Sequence, residues 1–137
     1  MENMITEDYV SFETAKLLKE KGFDEQCYAY YNIFYDNDGK DLKLWRKYPH
    51  RAQPNTNYLN VPTLQTAMKW LREEHKLEVR STYDYDKDSW WGHINPMFEE
   101  TDENSDIYQK ALRFDYQGKS YEEACDAAIK YCIENLI

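Results

Sequence analysis

The residues best suited to chemistry are clustered acids and isolated histidines. The stretch YDNDGKD, Tyr35 to Asp41, holds three aspartates and a glycine in seven residues. Oxygen-rich loops of this kind bind hard cations, so an EF-hand is the first reading to test. With Asp38 and Gly39 at loop positions 5 and 6, Asp36 fills position 3, but Phe34, Leu42 and Trp45 fall at positions 1, 9 and 12. The first and last of these must supply oxygen, so the motif fails. A hairpin tip needs only what is present: Asp and Asn to bond the local backbone, and Gly39 at a positive φ. Loose cation binding shared by Asp36, Asp38 and Asp41 is the residual metal reading. A second acidic tip, YDYDKDS, begins 48 residues later at Tyr83.

His50, His75 and His93 stand apart, with neither H-x-x-x-H nor H-E-x-x-H spacing. His75 suits the last turn of a helix, where a partial positive charge is favourable. His93 follows Trp90, Trp91 and Gly92 and should point to the face opposite Ile94. A small hydrolase centred on His93 would need an adjacent acid and a concave pocket. Nucleophile-elbow, P-loop and dinucleotide-binding patterns are all missing. The carboxylate pairs Glu73–Glu74, Glu99–Glu100 and Glu122–Glu123 are ordinary in a chain with 26 acids. Cys27, Cys125 and Cys132 have no C-x-x-C spacing and are odd in number, which suggests neither a zinc site nor a disulfide framework. No cofactor is expected, and a binding role is favoured over an enzyme.

The binding candidates are aromatic. Trp45, Trp90 and Trp91, together with Tyr28, Tyr30 and Tyr31, fall on both faces of the expected hairpins, and a helix covers only one face of each. An exposed Trp and Tyr patch ringed by charge marks an interaction surface. Trp45, Trp90, Trp91, His93 and Tyr30 are therefore the expected binding residues, with another protein as the partner. Helices on both sheet faces would instead bury both sets.

Composition narrows the partner. A formal charge of −9 and a pI near 4.8 oppose direct nucleic-acid binding, which needs clustered Lys and Arg. The best basic cluster, RKYPHR at Arg46 to Arg51, is short. The acidity leaves open a DNA mimic that inhibits a nucleic-acid-acting protein. No apolar run approaches the roughly 18 to 20 residues of a membrane span. The acidic MENMITEDYV opening lacks the features of a secretory signal, so no membrane association and a cytoplasmic location are expected. A homo-oligomer is compatible with all of this.

These residues must be positioned by a chain of 137 residues, long enough for one domain with its own core. SFETAKLLKEKG reads as a helix capped by Ser11 and stopped by Gly22, with Phe12, Ala15 and Leu18 inward. Cys27 to Tyr35 reads as a strand that turns at NDG into Leu42–Tyr48. A loop with Pro49, Pro54 and three asparagines follows. Thr63 then caps a helix with Leu64, Ala67, Met68 and Leu71 inward. Leu77 to Tyr83 alternates as a half-buried strand, and WWGHI is its hairpin partner. Glu99 to Asp106 reads as a mobile acidic loop, and LRFDY as a short strand presenting Leu112, Phe114 and Tyr116. A capping box, Ser120 with Glu123, opens the last helix, whose stripe runs Tyr121, Ala124, Cys125, Ala128, Ile129, Cys132, Ile133 and Leu136. The expected fold is α+β: one antiparallel sheet of two hairpins, in the order α-ββ-α-ββ-α, with helices packed on it. Thr66–Glu74 aligns with Ala127–Asn135, and Tyr35, Asp36 and Asp38 with Tyr83, Asp84 and Asp86, suggesting an internal repeat.

The segments VPTLQTAMKWLRE at Val61 to Glu73, WW at Trp90 and Trp91, and GKSYEEACDAAIKYC at Gly118 to Cys132 resemble small uncharacterised proteins of phages and prophages of Bacteroides-type gut bacteria. The style is similar to phage ABA-sandwich domains. The resemblance covers roughly Cys27 onward, and its motifs are helix caps and core stripes. It implies an α/β/α sandwich of unknown function, with no catalytic residues to carry over; the expected function is that of a non-catalytic phage or mobile-element accessory protein.

Overall fold

The computed structural model describes residues 7–45, 47–51 and 57–137. Their order is α1 (Phe12–Glu20), β1 (Ala29–Asn32), β2 (Lys43–Leu44), β3 (Tyr58–Val61), α2 (Leu64–His75), β4 (Leu77–Asp84), β5 (Ser89–Pro96), α3 (Ser105–Leu112), β6 (Gln117–Gly118) and α4 (Tyr121–Asn135). The α+β class holds, but the strands form two antiparallel sheets of three rather than one sheet, ordered β2-β1-β3 and β4-β5-β6.

The helices begin where their caps require. Ser11, Thr63 and Ser120 each accept a hydrogen bond from the backbone N–H three residues on, at 3.2, 3.2 and 3.1 Å. Each thereby satisfies one of the donors a helix start leaves unpaired. Glu123 completes the capping box one residue further back than the usual geometry, accepting from the Lys119 N–H at 2.9 Å. At the other end of α1, Gly22 has φ 93°, as the stop at that position requires.

The layers explain which faces are covered. The expected stripe of α4, from Ala124 through Cys125, Ala128, Ile129, Cys132 and Ile133, is fully buried. This helix lies on β4, β5 and β6 on one side and meets α1 and α2 on another. In turn α1 reaches the first sheet through β3, and the Phe12 ring meets Tyr31 edge-on at 5.1 Å. Ala29, Tyr31, Leu59 and Val61 from the first sheet share a single core with Leu77 and Val79 from the second. Helices thus pack against both sheets, α4 on the second and α1 on the first through β3, whereas the sequence resemblance implies an α/β/α layering around one sheet. Each sheet spends one face on the helices, and among the described residues no helix covers the other.

Three local expectations are corrected. The loop before Thr63 contains a strand, β3, whose alternation is confined to four residues, with Leu59 and Val61 inward. The acidic stretch Glu99–Asp106 leads directly into α3, because Ile107 and Ala111 lie four apart and reach the core together. LRFDY is not a strand: Leu112 ends α3 and is 79% exposed, while β6 begins only at Gln117. Phe114 instead turns inward and packs against Tyr131 at 5.0 Å. The two sheets also differ in strand order, so the repeat seen in the sequence does not extend to strand connectivity. Arg46, Pro54 and the opening residues up to Thr6 lie outside the described residues.

Candidate protein-binding surface

Alternation along the first sheet creates the site. Because Ala29 and Tyr31 face the core, Tyr30 must face outward, and the same rule turns Tyr58 and Asn60 out from β3. Tyr30 is paired with Lys43 on one side and Asn60 on the other. Trp45, just past β2, is held beside β1 by a 2.8 Å bond from its N–H to the Tyr28 carbonyl. Its ring folds back over the sheet and stacks on Tyr30, with centroids 4.0 Å apart and planes inclined by 23°. The indole Nε1 donates to Asn60 Oδ1 at a long 3.4 Å.

The row extends in both directions. Tyr58 meets the Tyr30 and Trp45 rings at 5.4 and 5.5 Å, while His50 lies 4.4 Å from Trp45 and Tyr48 lies 5.8 Å from His50. These five rings form one continuous strip on the open face, at spacings where aromatic pairs attract. Tyr48 remains 63% exposed and Tyr58 38%, while Trp45 and Tyr30 are half-buried by each other. His50 is fixed by reciprocal backbone bonds with Cys27 at 2.8 and 2.9 Å, and the Asn60 amide donates to its carbonyl at 2.6 Å. The strip is therefore supported by the sheet beneath it.

The five residues expected from the sequence divide among three places. Tyr30 and Trp45 belong to this strip. Trp90 points to the helix side, where it meets Tyr121 at 5.7 Å and Tyr83 at 5.2 Å. Trp91 and His93 lie on the open face of the second sheet, opposite Thr82 and Arg80. There the Trp91 indole donates to Asp84 Oδ2 at 3.0 Å, and His93 Nε2 shares a 2.7 Å hydrogen bond with Thr82 Oγ1. His93 has no carboxylate partner among the described residues, and the clefts beside α1, α2 and α4 are lined without it. Sequence reasoning missed Tyr48, His50, Tyr58 and Asn60; for the last two the alternation in NYLNV was the available signal, too short to separate from a loop.

The acidic tips are organised by their own backbones. Asp36 accepts from the Lys40 and Asp41 N–H groups, both at 2.8 Å, so each carboxylate oxygen is engaged. Those bonds, that from Lys40 foremost, hold its carboxyl below the usual range. Gly39 has φ 75°, and a Cβ there would collide with the Phe12 ring, so this turn closes against α1. Asp38 and Asp41 pair with Lys40 and Lys43 at 3.2 and 3.0 Å. At the other tip Asp84 accepts from Trp91 and from the Asp86 and Lys87 N–H groups. The two tips belong to different sheets, and among the described residues no group of three or more His, Cys, Asp or Glu is arranged to hold a metal.

A cleft of about 590 Å³ gathers Asp8, Glu122, Glu123 and Asp126 near Tyr31. Asp126 is already spent on the Ser11 N–H and the Thr14 hydroxyl at 2.9 and 3.2 Å, and Glu123 on the α4 cap. Asp126 thereby fastens α1 to α4. His75 sits in the last turn of α2 with its ring 4.7 Å from Trp70, and burial pulls its pKa down. Among the described residues no helix is long and apolar enough to cross a membrane. Compared with protein-family models, curated proteins and solved structures, the chain finds no match.

Proposed function

We propose that the protein is a non-catalytic binding module whose docking surface is the open face of the first sheet, with another protein as its partner. The observation that carries this is the continuous strip from Tyr48 through His50, Trp45 and Tyr30 to Tyr58, outside the core and free of any covering helix among the described residues. Large rings with polar tips supply contact area at little cost in side-chain entropy, and they are concentrated at interface centres. The rigid backing of β1 and β3 means little reorganisation is needed on binding, which favours affinity. A phage or mobile-element accessory role is consistent with this surface and draws its support from the sequence resemblance.

A comparative capture experiment tests the proposal. Wild type, Trp45→Ala and Tyr58→Ala on the first sheet, and Trp91→Ala on the second, are immobilised after circular dichroism shows that each is folded. A partner retained from host-cell lysate by wild type and Trp91→Ala but lost with both first-sheet variants supports the assignment. Equal retention by all four places the docking surface elsewhere.

A further inference from the structure

The residues of the aromatic strip come from a segment with a charge unlike the rest of the chain. Leu42 to Asn60 contains four Lys and Arg and no Asp or Glu, a formal +4, whereas the whole chain is −9 and the remainder is therefore −13. This segment supplies Trp45, Tyr48, His50 and Tyr58 as well as Lys43, Lys47 and Arg51. Lys43 sits directly across from Tyr30 in the sheet, and Lys47 and His50 are exposed on either side of Tyr48. The Lys43–Asp41 pair and the long contacts of Arg51 to Asp24 and Glu25 at 4.0 and 3.9 Å are at the surface, where such pairs contribute little. Lys43 thus shares the ring face with Tyr30, and Lys47 is exposed next to Tyr48, on an otherwise acidic molecule, while Arg51 lines a cleft with Thr66, Trp70 and Glu73 of α2.

Complementarity then specifies the occupant. A flat strip of rings edged by cations suits a single extended chain that lays apolar groups on the rings and presents anionic groups to the edge. Single-stranded nucleic acid also combines stacking with negative charge, but its backbone calls for a track of cations. Here the nearest cations are few, and −13 on the remaining residues repels a long polyanion. A short acidic segment requires fewer cations. Resting on the docking surface proposed above, we infer that the segment bound there is an extended acidic peptide of the partner protein. Its carboxylates meet Lys43, Lys47 and His50, and its apolar side chains cover Trp45 and Tyr58.

Selection from a displayed library of random 12-residue peptides tests this, using folded wild-type protein as bait and folded Trp45→Ala and Tyr58→Ala as counter-selection. The expected outcome is enrichment of peptides with net negative charge that bind wild type only. Their synthetic forms should lose roughly fivefold or more in affinity on the double change Lys43→Gln, Lys47→Gln, and lose affinity as salt rises. Face-dependent peptides that are neutral or basic overturn the acidic assignment and leave the docking surface standing. Absence of any face-dependent peptide overturns the docking surface itself. Tighter binding of the oligonucleotide (dT)15 than of any selected peptide overturns the inference in favour of nucleic acid.

Discussion

Trp45 lies across Tyr30 with ring centroids 4.0 Å apart, on the side of β1 that faces away from the core. The stack joins the end of β2 to the central strand. A double-mutant cycle on Tyr30→Ala and Trp45→Ala should give a coupling of about 0.5–1.5 kcal/mol in urea unfolding, the range for aromatic pairs beyond simple burial. Additive effects would mean the rings do not stack in solution.

Gly92 reports on the contact between β5 and α4. A Cβ there would stand 2.9 Å from both the Ala124 carbonyl oxygen and a Phe114 ring carbon, and the carbonyl belongs to the helix backbone. Gly92→Ala should therefore destabilise by about 1–3 kcal/mol, as overpacking does. Thermal unfolding indistinguishable from wild type would show that α4 does not approach the sheet this closely.

Asp84 gives the acid limb of stability a named source. Its carboxyl is held below the usual range, chiefly by the hydrogen bond from the Trp91 indole and then by the Lys87 and Asp86 N–H groups. A depressed folded-state pKa contributes stability that is complete above the unfolded value near 3.9 and is lost as pH falls through the lower folded value. Asp84→Asn should be less stable than wild type at pH 7, with the gap closing as pH falls through the depressed folded-state value. In wild type, the Trp91 indole N–H resonance should titrate with a midpoint below 3.9. A midpoint at or above that value would contradict the bond.

The thiols are a test of the core. Burial pushes Cys27 and Cys132 up to about 12, and it raises Cys125 as well. All three are buried in the folded chain. At pH 8 a thiol reagent should modify the native protein far more slowly than a free cysteine, and modify three sites once denaturant is added. Rapid native labelling at Cys132 would mean that α4 is not seated.

The helices were legible because their signals are local. Ser11, Thr63 and Ser120 each precede an apolar stripe at helical spacing, and β4 opens with an alternation that buries Leu77 and Val79. The first sheet was harder. Its strands have four residues or fewer, and β1 is aromatic on both faces, so Tyr30 and Tyr31 look alike although one faces out and the other in. The α3 helix was hidden because acids and Thr101, Asn104 and Ser105 suit a turn as well as a helix start, and only packing of Ile107 and Ala111 decides for the helix. Nor could alternation say that the strands divide into two sheets, since that depends on which strands pair. Of the expected site residues, Tyr30 and Trp45 lie on the open face of the first sheet, whereas Trp90 faces Tyr121 on the helix side, a difference that alternation in strands aromatic on both faces could not reveal.

Crosslinking in living host cells tests the docking surface most directly. A photoreactive phenylalanine analogue at position 58, on the rim of the strip, should yield a discrete adduct with another protein on irradiation, and the same analogue at position 83 beside the second sheet's turn should not. That adduct should disappear when Trp45→Ala is added. An adduct at position 83 with none at 58, or one at 58 that survives Trp45→Ala unchanged, would contradict the assignment of the aromatic strip as the binding surface.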